Sequence, residues 1–186
     1  MLLWLLILII VVVILLIVTI YYYNSFVVLH NRIENAFSQI DVQLKKRNDL
    51  IPNLVETVKG YAKHEKTVFA DVTKARKEMM VSGGSYESKM KASDMMSNAL
   101  KSIFAIAENY PDLKANTNFL ELQRELSDIE SKIAYTRQFY NDSILYFNTI
   151  VERFPGNIFA GLFGKKKQTY FETSEAERKN VKVSFE

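Results

Sequence analysis

The chain has 186 residues, 24 of them basic and 21 acidic, and no cysteine. That length suits one membrane anchor and one modest domain. The lack of cysteine excludes a disulfide framework, a thiolate metal site and a thiol nucleophile, and a net charge of +3 is too balanced for a nucleic-acid binder.

Leu2 to Ile20 contains no charge, no glycine and no proline, and Thr19 is its one polar residue. Nineteen residues in a helix span roughly the 30 Å of a hydrocarbon layer. Trp4 near one end and Tyr21, Tyr22 and Tyr23 after the other match the aromatic belts of membrane interfaces. A cleaved signal peptide is the rival reading, but no basic residue precedes the run, the run is too long, and three tyrosines stand where small residues are needed. The absence of glycine argues against close helix pairing within the membrane. Arg32, Lys45, Lys46 and Arg47 all follow the run, so the positive-inside bias predicts an external N-terminus and a cytoplasmic domain.

Beyond the anchor, Ile33, Phe37, Ile40, Leu44, Arg47, Ile51, Leu54, Val58, Tyr61, Glu65, Val68, Val72 and Ala75 alternate spacings of four and three. All but Arg47 and Glu65 are apolar or aromatic, which is the seam of a helix facing a partner. A second seam runs Met96, Leu100, Ile103, Ala107 and Tyr110. A third runs Leu122, Leu126, Ile129, Ile133, Thr136, Tyr140, Ser143, Phe147, Ile150 and Phe154. Such stripes belong to the core of a helical bundle, and a domain of about 150 residues buries near 70% of its unfolded surface without metal or disulfide.

The breaks are also readable. Ser82-Gly83-Gly84-Ser85 predicts a loop. Tyr110-Pro111-Asp112 ends one helix, with Pro111 early in the next, and Phe154-Pro155-Gly156-Asn157 ends the last long one. The seam keeps phase across Pro52, which predicts a kink there and not an end. Gly60 is a second possible break, as a cap before a short turn through Lys63. A turn there gives four helices running up and down; a straight path gives three.

The stretches RIENAFSQIDVQLKKRNDLIPNLVETVKGYAKHEKTV (Arg32 to Val68) and AENYPDLKANTNFLELQRELSDIESKIAYTRQFYNDSILYFNTIVERFPGNIFAGLFG (Ala107 to Gly164), with the closing Val183-Ser184-Phe185, closely resemble the LemA family. Met79 to Met96 matches loosely. The resemblance implies a bacterial single-pass protein of the inner membrane carrying an antiparallel up-and-down four-helix bundle with long first and last helices, which favours the turn near Gly60. It leaves the biochemical role open: relatives occur in magnetosome membranes, and others are encoded beside membrane metalloproteases. The expected organisation is an anchor over 1–23, a helical bundle over 24–156 and an apolar and basic segment with its tail over 157–186.

No catalytic set emerges. His30 and His64 are preceded at three residues by Val27 and Tyr61, so the Glu-x-x-His pairs of a di-iron bundle are missing. Val68 stands where a zinc-protease helix needs its second histidine, and Leu162 stands where a phosphate loop spaced on Gly156 and Gly161 needs lysine. Ser85 has no nucleophile-elbow context. No cofactor, metal or small-molecule substrate is expected.

Three features remain. Arg47 and Glu65 occupy core-type positions, where charges are rare unless paired. Seventeen residues lie between them, too many for a direct pair on one helix, so Glu130 or Arg137 are the expected partners. Arg47, Glu65 and Arg137 are therefore candidates for a conformational or partner switch, against the plainer reading that the seam charges snorkel at the bundle edge. Asn157 to Gly164 is apolar, and Lys165, Lys166 and Lys167 follow. This segment either docks on the bundle or inserts Phe159, Leu162 and Phe163 into the bilayer interface with the lysines on anionic headgroups. The tail, Gln168 to Glu186, is charged and loose up to Val183-Ser184-Phe185, which could add an extended contact.

These features point first to a non-enzymatic scaffold or adaptor, anchored in the bilayer and presenting its bundle to a protein partner or to another copy. The alternatives are a self-assembling membrane-shaping protein and a regulator of a membrane protease.

Overall fold

The computed structural model describes residues 1–82 and 86–171, and among them every ordered element is helical. The first helix, α1, runs unbroken over Leu2–Lys59. Eleven of the nineteen residues from Leu2 to Ile20 are β-branched, a composition that weakens a helix in water. In lipid the balance reverses, because the helix satisfies every backbone polar group internally. Thr19 fits this pattern: its hydroxyl donates to the Leu15 carbonyl at 2.7 Å. None of the apolar run is buried inside the protein, and the helix is long and apolar enough to cross a membrane.

The helix continues through Pro52, as the phase of the seam predicts, and ends at Lys59. Of the two paths open at Gly60, the chain takes the turn, which the family resemblance favours. Tyr61 and Ala62 donate back to the Val58 carbonyl at 3.0 and 2.8 Å, closing the last turn, and α2 begins only at Lys66. Gly60 does not supply a left-handed cap; Gly164, with φ 62°, is the described glycine with that conformation. The remaining helices are α3 (Tyr86–Ala107), α4 (Pro111–Lys114), α5 (Thr117–Glu152) and α6 (Gly156–Leu162). Pro111 opens α4 at its first turn, and Asn116 caps α5 by accepting from the Phe119 amide at 3.0 Å. Of the expected Ser82–Ser85 loop, Gly83, Gly84 and Ser85 lie outside the described residues, as does Val183-Ser184-Phe185.

The chain divides into two compact units. One comprises Ala36–Gln138. Its core takes Ile51, Leu54 and Val58 from α1, Val72 and Ala75 from α2, Met96, Leu100 and Ile103 from α3, Leu113 from α4, and Phe119 and Leu126 from α5. The other comprises Met1–Asn35 and Phe139–Glu186. Its described centre is aromatic: Phe26 and Phe147 are fully buried with ring centroids 6.0 Å apart. Two seam residues depart from expectation. Tyr61 and Phe154 lie just beyond the ends of α1 and α5 and are exposed, because the stripe they extend stops where the helix stops.

Candidate functional site

In the Ala36–Gln138 unit a cluster of charges sits within apolar packing. Arg47 enters from α1 at a seam position and is 1% exposed. Its Nη1 lies 2.5 Å from Glu130 Oε1 of α5 and donates to Ser97 Oγ of α3 at 2.9 Å. Its Nη2 donates to the Ser93 hydroxyl and carbonyl at 2.9 and 3.1 Å. Arg137 of α5 reaches the same Ser93 hydroxyl at 2.8 Å and pairs with Asp94 at 2.8 Å. Burial pushes the Arg47 guanidinium below its ordinary value; Glu130 and Asp94 act to raise it, and Arg137 lowers it further.

Of the expected switch residues, Arg47 and Arg137 meet through Ser93, and Glu130 is the partner of Arg47. Glu65 is elsewhere, half-buried in the turn before α2, where the Tyr110 hydroxyl lies 3.5 Å away. Ser93, Asp94 and Ser97 were missed by sequence reasoning. Carrying the Met96 seam back by alternating threes and fours reaches Ser93 and then Lys89, which pairs with Asp41 and lies over the Phe37 ring. Two guanidinium groups facing two carboxylates around serine hydroxyls neutralise one another. Arg47 is the most deeply buried of the four, so losing its partners would leave that guanidinium unpaired away from water.

In the other unit, Gly156 to Phe163 folds back on α1. Phe159 stacks on Tyr22, with centroids 4.7 Å apart and ring planes within 9°. Phe163 meets Tyr23 and Phe26 edge-on at 5.4 and 6.4 Å. Only glycine fits at 156: an added Cβ would lie 2.3 Å from the Ile150 carbonyl oxygen and 3.2 Å from the Tyr22 ring. Tyr22, Phe159 and Phe163 are thus turned toward each other, Tyr22 buried and the two phenylalanines half-buried. Trp4, Tyr21, Tyr23 and Leu162 are exposed. Among the lysines, Lys167 pairs with Glu152, Lys166 is exposed and Lys165 is half-buried.

A second contact escaped sequence reading. Asn148 and Asn141 of α5 each grip one backbone residue after α6. The Asn148 amide donates to the Gln168 carbonyl at 2.9 Å, and its oxygen accepts from the Gln168 N–H at 2.8 Å. Asn141 does the same to Phe171 at 3.0 and 2.8 Å. Seven helical residues rise about 10.5 Å, close to the roughly 10 Å that three extended residues cover, so the two amides match the backbone spacing. Nearby, the Arg32 guanidinium lies 5.1 and 5.3 Å from the Phe139 and Tyr146 ring centroids, within cation–π range.

The histidines take no part in either site. His30 lies 3.5 Å from Glu34, and His64 is exposed in the turn between α1 and α2.

Comparison with known proteins places these features in context. The model of the LemA family matches residues 36–185. The magnetosome protein MamQ of Magnetospirillum gryphiswaldense is 24% identical over 178 residues, covering 82% of this chain and 65% of the relative. Magnetosome protein MamQ 2 of Paramagnetospirillum magneticum is 23% identical with the same coverage. Protein LemA of Metamycoplasma hominis is 27% identical over 154 residues, covering 83% of this chain and 70% of the relative. The chain therefore spans slightly less than two thirds of the length of these MamQ relatives.

Proposed function

The chain belongs to the LemA family, and on that premise we propose that it is a non-enzymatic scaffold, held in a bacterial cell membrane by α1 and offering a helical bundle to a protein partner or to another copy. The observation that carries this reading is the continuity of α1. No break separates the unburied apolar run from Ile51, Leu54 and Val58, which build the core of the helical unit.

In this reading α1 beyond the span, α2, α3 and α5 form an antiparallel up-and-down bundle, with α1 and α5 as its long members. The turns between α1 and α2 and between α3 and α5 are short, which favours antiparallel neighbours. Arg32, Lys45 and Lys46, following the span, favour a cytoplasmic bundle and an external N-terminus. The pairing of Arg47, Glu130, Arg137 and Asp94 with one another supports a structural role for these charges and not a catalytic one.

In-cell crosslinking with mass spectrometry tests the reading. A scaffold gives reproducible links from α2, α3 or α5 to a small set of proteins or to a second copy. Links to a membrane protease alone would favour a regulator, very large self-linked assemblies would favour a membrane-shaping role, and no links above background would sink the scaffold.

A further inference from the structure

Folding α6 against α1 consumes one stripe of its apolar residues and leaves another open. Phe159 and Phe163 pack on Tyr22, Tyr23 and Phe26. Ile158 and Leu162, four apart and so on one face of α6, remain 59% and 69% exposed, and Phe154 in the turn leading into the helix is 79% exposed. Large apolar side chains grouped in this way on a short segment mark an interaction surface.

The segment lies beside the end of the apolar run of α1. Tyr22 lies two residues past Ile20, where the apolar run of α1 ends, about 3 Å further along the helix axis. Phe26 lies about 9 Å past that end. α6 is therefore fastened to α1 beside the end of the apolar run, which is headgroup depth when α1 spans a bilayer. The chemistry fits as well: from Glu152 to Lys167 there are four basic residues, Arg153, Lys165, Lys166 and Lys167, against one acidic residue. Apolar side chains flanked by lysines are the composition of segments that lie in an anionic interface.

We propose that α6 is a second, in-plane membrane contact, in which Phe154, Ile158 and Leu162 enter the acyl boundary of an anionic leaflet beside the exit point of α1 while Arg153, Lys165 and Lys166 engage lipid phosphates. This rests on the anchoring role of α1. It reassigns the two phenylalanines that the sequence offers for insertion: Phe159 and Phe163 hold the segment in place, and their neighbours meet lipid.

Because the chain has no cysteine, single cysteines report the site cleanly. The full chain carrying Ile158→Cys, Leu162→Cys or, as a reference on α5, Leu145→Cys is labelled with an environment-sensitive fluorophore. It is then reconstituted in phosphatidylcholine vesicles with or without phosphatidylglycerol. With phosphatidylglycerol present, quenchers carried on lipid near the headgroup quench the labels at 158 and 162 several-fold more than the label at 145. Each of Lys165→Gln and Lys166→Gln lowers the docked-to-free ratio about fivefold at low salt. Labels at 158 and 162 that are quenched by aqueous iodide and not by lipid would overturn the proposal. So would labels shielded from both quenchers, since protein would then cover the face, either a second copy or residues 172–186. Flotation separates the two readings: a chain that floats with unquenched labels refutes the α6 contact alone, whereas a chain that does not float refutes the anchoring too.

Discussion

Arg47 and Glu130 are separated by 83 positions in sequence and by 2.5 Å in space, and the two members of the pair are buried to very different extents. The Arg47 side chain is 1% exposed and that of Glu130 is 36% exposed. Removing the glutamate strands a guanidinium away from water, while removing the arginine leaves a carboxylate that water can reach.

The asymmetry sets an order of stabilities. Glu130→Ala leaves Arg47 facing Arg137 with its main counter-charge gone, and is expected to cost about 3–5 kcal/mol. Arg47→Met replaces the buried charge with an apolar chain of similar length and is expected to fall within about 1 kcal/mol of the parent, or to stabilise it. Denaturant titrations of the chain in detergent, followed by circular dichroism, measure both. Equal losses would mean that the two charges are equally shielded from water and would contradict the asymmetry.

Gly156→Ala is expected to detach α6. The new methyl meets a backbone oxygen, which cannot swing aside as a flexible side chain would, and overpacking of this kind costs about 1–3 kcal/mol. Gly161→Ala is the matched reference: nothing lies within 4 Å of an added Cβ, and alanine there gains about 0.5–1 kcal/mol of helix propensity. Hydrogen exchange across residues 156–171 reports the difference, fast in the first variant and unchanged or slower in the second.

The paired amides of Asn141 and Asn148 make a sharper test, because the contact involves only backbone on the other side. Asn148→Ala removes two hydrogen bonds, each worth about 1 kcal/mol, and is expected to speed exchange of the Gln168 amide. Asn148→Asp keeps the acceptor for the Gln168 N–H and loses the donor to its carbonyl, so an intermediate rate is expected. Substituting the Gln168 side chain is expected to change nothing.

Tyr140 gives the pH dependence. Burial raises its phenol above the ordinary value of 10.0. The folded state therefore holds the proton more tightly than the unfolded one. The resulting stabilisation is complete below pH 10 and is lost as pH rises through the folded value. Tyr140→Phe has no such proton to lose. Its stability relative to the parent is expected to stay constant up to about pH 9 and then to improve as the parent weakens. Parallel melts from pH 7 to pH 11 check the sign, and a constant difference throughout would contradict it.

The seams were legible because apolar periodicity is a direct imprint of burial: Ile40, Leu44, Ile51 and Leu54 are all buried where spacing puts them. The count alone left the turn after Lys59 open, since Val68, Val72 and Ala75 resume the same phase in α2 and a count cannot tell one helix from two that share phase; Gly60 and the family resemblance were what favoured it. Arg47 was visible as an anomaly in its seam, and Glu130 was among its expected partners. Ser93 was hidden because serine at a core position looks like surface. Tyr22 and Phe159 resemble interfacial aromatics whether they face lipid or each other, and residue type does not separate those cases. The grip of Asn141 and Asn148 on the tail leaves no trace in the residues it holds, because it reads only their backbone.

The central claim is that α1 crosses lipid and carries the helical unit with it. Alkaline carbonate extraction of membranes from cells expressing the full chain tests this most directly, since carbonate strips proteins bound by surface charge and leaves those that span. The chain is expected to remain in the membrane pellet and to enter solution only with detergent. Its appearance, intact, in the carbonate supernatant would contradict the account.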